Sequence, residues 1–200
     1  MKFSIRPRTK IIIASVLIIG IVGVRILGYF KPNEKDPACT GKERWGIKTL
    51  GDGDASKINF TADSSTIAQL ISIAPENSPS KNTSRFGIEF NTYIIRCRIR
   101  EYKLTDDGDY HLVLEDLNDP SKTMIGEIPD PYCESVKKSL RFEQIVKSRN
   151  DFKNTRLFTM GNDNAVYTIT GVAFYDKIHG QRGGAPYGTE IHPVLSISEK

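Results

Sequence analysis

The run Asp106-Asp107-Gly108-Asp109 packs three carboxylates into four residues, with Glu115 a short distance on. Carboxylate oxygens are the ligands that Ca²⁺ and Mg²⁺ take, so Asp106, Asp107, Asp109 and Glu115 are candidates for holding a hard cation. Asp-Gly is also a favoured turn between antiparallel strands, and a structural turn is the plainer account. The chain has three histidines, His111, His179 and His192. Imidazoles joined by an Asp can ligate Zn²⁺, or one imidazole can act as a base beside an orienting partner. The metal candidates are therefore Asp109, His111, His179 and His192, and the catalytic candidates Asp107, Asp109, His111 and His179. His111 and His192 lie inside strand patterns, where a lone histidine is more often a hydrogen-bonded structural residue.

Two further segments point to ligands. Arg96, Arg98 and Arg100 recur with period two, which places all three on one strand face. Such a strip can face an anion or an oligosaccharide, with Tyr102 and Tyr110 adding stacking. Its plainer account is a solvated face paired with Glu115 or Glu127. The loop His179-Gly180-Gln181-Arg182-Gly183-Gly184 lacks the Lys-Ser/Thr of a phosphate loop and opens no helix, so it reads as a binding loop at most. The candidate ligand face comprises Arg96, Arg98, Arg100, His111, His179 and Arg182.

The elements that must position these residues follow from periodicity. From Phe90 to Lys103, Tyr93, Ile95, Cys97 and Ile99 alternate with polar residues as in a half-buried strand. Tyr110 to Glu115 and Thr123 to Ile128 read as second and third strands, stopped by Pro129 and Pro131. Val136 to Lys153 has no Gly or Pro and sets Val136, Leu140, Ile145, Val146 and Phe152 on one side, an amphipathic helix with Ser135 as a candidate cap. Ala165 to Tyr175 is a fourth strand, bent at Gly171. Glu190 to Ser198 is the last. Three strands, a helix and two strands in this order are the layout of a five-stranded OB-like barrel, with loops 1–2 and 4–5 flanking its usual ligand face. Before it, Arg44 to Leu50 reads as a strand, and Ser64 or Ser65 as the cap of a short helix over 66–71.

Charge is unevenly spread. Five of the 28 Lys and Arg residues fall in the first thirty positions and none of the 24 Asp and Glu, which leaves the rest at −1. A near-neutral remainder argues against general nucleic-acid binding driven by phosphate attraction. Residues 1–10 form a basic tail, and Ile11 to Val24 is an uncharged apolar run extended past Arg25 to Phe30. The fourteen-residue core alone matches a cleaved signal peptide. With Arg25 reaching the far interface, the span 11–30 is long enough for an uncleaved membrane anchor, the better account, and the basic tail favours a cytoplasmic N-terminus. The expectation is a single-pass protein of a bacterial inner or plasma membrane with a periplasmic or extracellular C-terminal part. In it, a linker (31–38) leads to an N-terminal extension (39–90) and the barrel (91–200). In an exported protein Cys39 and Cys133, both in Pro-containing loops, are disulfide partners by expectation. Cys97 reads as a core residue.

Ordered pieces of the chain resemble a family of uncharacterised bacterial secreted or anchored proteins. The pieces are Glu43-Arg44-Trp45-Gly46-Ile47-Lys48-Thr49, Glu101-Tyr102-Lys103-Leu104, Asp109-Tyr110-His111-Leu112-Val113-Leu114 and Thr123-Met124-Ile125-Gly126-Glu127-Ile128-Pro129. Thr170-Gly171-Val172, His179-Gly180-Gln181 and Glu190-Ile191-His192-Pro193-Val194-Leu195 complete them. The resemblance implies an exported OB-like domain and brings no activity with it. Tyr187 departs from the Asn expected at that turn. A narrower likeness is to thermonucleases, whose Asp-Gly-Asp at the start of strand two looks like Asp107-Gly108-Asp109 and whose later acidic loop looks like Asp130-Pro131 with Glu134. The Arg such enzymes need for phosphate charge has no counterpart in Ile125-Gly126-Glu127-Ile128. The expected role is thus an anchored binding or scaffolding module of the cell envelope. Its partner would be an envelope protein, an oligosaccharide or an anionic ligand, with no cofactor. The alternative is a metal-dependent phosphoesterase or nuclease that uses a divalent ion.

Overall fold

The computed structural model describes Cys39, residues 43–161 and residues 164–200. The tail, anchor and linker expected over 1–38 lie outside the described residues. Among the described residues no helix is long and apolar enough to cross a membrane.

The alternating segments form strands β2 (Asn91–Leu104), β3 (Tyr110–Asp116), β4 (Thr123–Ile128), β5 (Tyr167–Tyr175) and β6 (Thr189–Glu199), preceded by β1 (Asn59–Ser65). The sheet order is β1-β2-β3-β4-β6-β5, and β5 pairs back onto β2, so five strands close into a barrel. β4 and β6 are parallel, while the β2–β3, β3–β4, β5–β6 and β2–β5 pairs are antiparallel. This mainly β fold is consistent with an OB-like barrel. β1 adds to the outside as a parallel neighbour of β2.

Inward-facing Ile95, Cys97, Ile99, Leu112, Leu114, Met124, Ile169, Ile191 and Ile197 fill the barrel, each almost fully buried. Each such apolar side chain contributes about 1.5–3 kcal/mol over leaving it exposed. Helix α4 (Phe142–Lys153) lies between β4 and β5 in the chain and sends Phe152 into an aromatic group with Tyr102, Tyr110 and Phe158. Burial pushes the Cys97 thiol up to about 12, in keeping with an inert core residue. At Gly171 the register of β5 against β6 shifts, and an added Cβ would lie 2.5 Å from the carbonyl oxygen of Pro193, so the bend needs glycine there.

Three local expectations change. Arg44 to Leu50 is not a strand but one turn of helix, α1 (Trp45–Lys48), bounded by left-handed Arg44 (φ 49) and Leu50 (φ 56). The 136–153 helix is divided into α3 (Glu134–Lys137) and α4. Between them Leu140 donates its backbone N–H to Leu50 O at 3.2 Å and leaves its side chain exposed. Ser135 is no cap but accepts a hydrogen bond from Trp45 Nε1. Thr66 rather than Ser64 or Ser65 caps α2 (Ile67–Leu70), in a reciprocal capping box with Gln69. Cys39 and Cys133 are joined by a disulfide, with Cα atoms 5.2 Å apart. It ties the start of the described chain to α3.

Candidate metal centre

The acidic turn joins β2 to β3. Thr105 holds it: its N–H and Oγ1 both donate to Asp109 O, and Oγ1 lies 2.6 Å from Asp107 Oδ1. Asp107 is thus occupied within the turn. Asp109 points inward and is 1 % exposed. Its Oδ1 accepts from the backbone N–H of Asp130 at 2.8 Å, while its Oδ2 has no hydrogen-bond partner. Arg149 of α4 anchors the surroundings by donating to the carbonyls of Gly108, Ile128 and Pro129, with its guanidinium 4.2 Å from the Tyr110 ring centre.

Strand register supplies the other groups. His111 stands opposite Glu127 across β3–β4, with Nδ1 2.7 Å from Oε1. The parallel β4–β6 register sets Gly126 opposite Ile191, which brings Glu127 beside His192. His192 is fully buried. Its Nδ1 pairs with Glu127 Oε2 at 2.9 Å, while its Nε2 lies 3.7 Å from Asp109 Oδ2 and makes no hydrogen bond. One ligand atom each from Asp109, Glu127 and His192 falls within 4.8 Å of the others. Period two puts Glu190 on the same face of β6 as His192, with Oε2 4.0 Å from Nδ1 and no hydrogen-bond partner. Gln181 donates to Glu190 Oε1 at 2.7 Å.

The loop after β5 closes this end of the barrel. Asp176 donates its N–H to Gly188 O at 2.8 Å. Gly188 has φ +70, and a Cβ there would sit 2.2 Å from Asp176 O, so only glycine allows the approach. Asp176 lies 3.3 Å from His179 Nε2 and 3.3 Å from Lys48 Nζ, the latter reaching in from α1.

The burial of so many ionisable groups shifts their protonation. Burial raises Asp109 well above the usual carboxylate range, and Glu127 and Asp107 add to the rise. Glu190 is likewise raised, first by burial and then by Glu127. Burial would raise Glu127 too, but His192, His111 and Lys48 outweigh it and hold that carboxyl well below its ordinary value. Burial lowers His192, and Glu127 opposes it only in part. For Lys48 the attraction of Glu190, Glu127 and Asp176 overrides burial, which alone would lower it, and keeps the ammonium charged.

The remaining candidates lie elsewhere. Arg100 pairs with Glu115 at 2.5 Å and donates to Pro120 O. Arg98 sits opposite Glu115 in the β2–β3 register. Arg96 borders a cavity of about 470 Å³ with Thr168, Asp116 and Lys200. Arg182 lies 3.4 Å from Glu101, and both border a cavity of about 250 Å³ with His111, Tyr102, Lys103 and Val113. The structure therefore gathers Asp109, His111 and His192, places half-exposed His179 at their edge through Asp176, and sets the arginine strip on the wall. Glu127, Glu190, Asp176 and Lys48 complete the cluster without having stood out in the chain as ligands. The signal that could have found two of them is a charged residue inside an otherwise apolar strand, as in Met124-Ile125-Gly126-Glu127-Ile128 and Glu190-Ile191-His192.

Chemically, this is a buried acidic centre with one imidazole, its three core residues supplied by the β2–β3 turn, β4 and β6. The gap of 3.7 Å between His192 Nε2 and Asp109 Oδ2 is too long for a hydrogen bond. It is close to the spacing of about 3.4 Å that two ligands at about 2.1 Å from one tetrahedral ion would have. Fold and site together define a closed β-barrel with a carboxylate–histidine centre at one end. Comparison with protein-family models, with curated proteins and with solved structures finds no match to the chain.

Proposed function

We propose that this chain is an exported, membrane-anchored OB-like barrel that binds one first-row divalent cation, such as Zn²⁺ or Mn²⁺, through Asp109, Glu127 and His192. The carrying observation is the convergence of those three side chains from the β2–β3 turn, β4 and β6, with Asp109 Oδ2 and His192 Nε2 left without hydrogen bonds. A mixed imidazole and carboxylate set suits such ions better than the all-oxygen sets of Ca²⁺. His111 holds Glu127 in place, as an outer partner orients a ligand. The Cys39–Cys133 disulfide supports an oxidising compartment, and the basic tail before the apolar run supports the anchor and its direction.

A second reading, metal-dependent phosphoester hydrolysis, is favoured by the cavity of about 250 Å³ beside His111, where Lys103 and Arg182 could receive an anionic substrate. Against it, Arg149, the arginine nearest the acidic turn, is committed to three backbone carbonyls. The test is calorimetry on the full chain, purified in detergent and stripped by chelator. One equivalent of Zn²⁺ or Mn²⁺ is expected, and Asp109→Asn or His192→Ala should abolish it. A folded wild type that takes up neither ion refutes the proposal. Turnover of a phosphodiester by the loaded protein, lost in Asp109→Asn, would favour the second reading.

A further inference from the structure

We infer that the Lys48 ammonium stands as a built-in second cation beside the metal position, so that the centre takes one divalent ion where its carboxylates would otherwise hold two. The inference rests on the metal centre proposed above. The acidic groups fall into two sets that share Glu127. Asp109, Glu127 and His192 form the first. Glu190 and Asp176, 1 % and 6 % exposed, form the second together with Glu127; Asp176 lies 3.3 Å from Lys48 Nζ, and the charges of Glu190 and Glu127 act on that ammonium. Glu190 Oε2 and Asp176 Oδ1 both lack a hydrogen-bond partner, although Asp176 Oδ1 lies 3.3 Å from Lys48 Nζ. Buried carboxylates in such a group either take up protons or are matched by positive charge nearby. Two-ion centres provide it with cations about 3.5–4 Å apart. Here the second charge is a side chain.

The position of that charge is specified by a segment outside the barrel. Lys48 ends α1, and three of the four residues before it are fastened to distant parts of the chain. Arg44 donates to both oxygens of Glu89 and to Tyr175 O. Trp45 donates to Ser135 Oγ. Ile47 O accepts from Arg85 at 2.6 Å. The Lys48 ammonium also lies 5.2 Å from the Phe174 ring centre, a cation–π contact that confines it further. A lysine that merely decorated the surface would not need its backbone tied on so many sides.

The test compares the stoichiometry of Mn²⁺ binding in the full chain by calorimetry and by electron paramagnetic resonance. Wild type and Lys48→Arg should bind one equivalent with the spectrum of an isolated ion. Lys48→Met should bind two, with the spectrum of a coupled pair. Removing the carboxylates of the second set with Asp176→Asn and Glu190→Gln in the Lys48→Met background should return the count to one. Lys48→Gln serves as a second neutral variant should Lys48→Met fail to fold. One equivalent in both neutral variants overturns the inference while leaving the metal centre standing. Two equivalents in wild type also overturn it. No binding by wild type overturns the metal centre and this inference with it.

Discussion

Arg44→Met tests whether the α1 segment is locked onto the barrel as its contacts require. The Arg44–Glu89 pair is buried, at 2 % and 0 % side-chain exposure. Arg44 donates to Glu89 Oε1 at 2.6 Å and to Oε2 at 2.5 Å, and to the carbonyls of Thr83, Ser84 and Tyr175. Methionine keeps an unbranched apolar stem but leaves Glu89 as a buried carboxylate without a cation. Removing one partner of a buried pair costs about 3–5 kcal/mol. Glu89 keeps two backbone donors, from Tyr175 at 3.0 Å and Phe86 at 3.1 Å, which places the expectation near the lower end. With a urea dependence of about 2 kcal/mol per molar, a loss of about 3 kcal/mol lowers the unfolding midpoint by about 1.5 M. Arg44→Met/Glu89→Leu removes both charges and should recover much of the loss. Lys57→Met, which breaks an exposed pair with Asp54, should leave the unfolding midpoint at the wild-type value. The reasoning fails if Arg44→Met shifts the midpoint by less than about 0.5 M, or if the double variant is no more stable than the single one.

Stability of the chelator-treated protein should depend on pH in a defined direction. Asp109 and Glu190 are raised, so their contribution is present below the ordinary carboxylate values and is lost as pH rises through their folded values. Glu127 is depressed, so its contribution is present above the ordinary glutamate value and lost only on stronger acidification. His192 is lowered, so its contribution is present above the ordinary histidine value and is lost as pH falls below it. Above that value thermal melts in chelator should fall as pH rises through the folded values of Asp109 and Glu190, and less steeply in Asp109→Asn; equal slopes for the two proteins would contradict this. The Cys39–Cys133 bridge closes a separation of 94 residues. Its removal by Cys39→Ser/Cys133→Ala is expected to cost about 4.7 kcal/mol from loop entropy, and a urea midpoint unchanged from wild type would show that the bridge does not constrain the unfolded chain.

How much could be read from the chain varies with how local the cause is. The strands that alternate cleanly, such as Tyr93-Ile95-Cys97-Ile99, carry their inward face in the sequence. Gly171 marks the bend because the crowding there admits no side chain. The break at Leu140 was hidden because its backbone partner is Leu50, ninety positions upstream. Arg44 to Leu50 looked extended because the left-handed turn at Arg44 is held by distant Thr83, Ser84 and Glu89. The site divides the same way. Asp109, His111 and His192 are visible as residue types that do chemistry. Glu127 and Glu190 are ordinary charges on strands until the β4–β6 register turns them inward. Lys48 joins them only because the segment before the barrel folds back over its mouth.

The most direct test of the central claim is X-ray absorption at the metal edge of the zinc-loaded full chain. A single ion with one imidazole nitrogen and carboxylate oxygens at about 2.0–2.2 Å is predicted, with the imidazole contribution lost in His192→Ala. A spectrum unchanged by His192→Ala would place the zinc elsewhere and contradict the account.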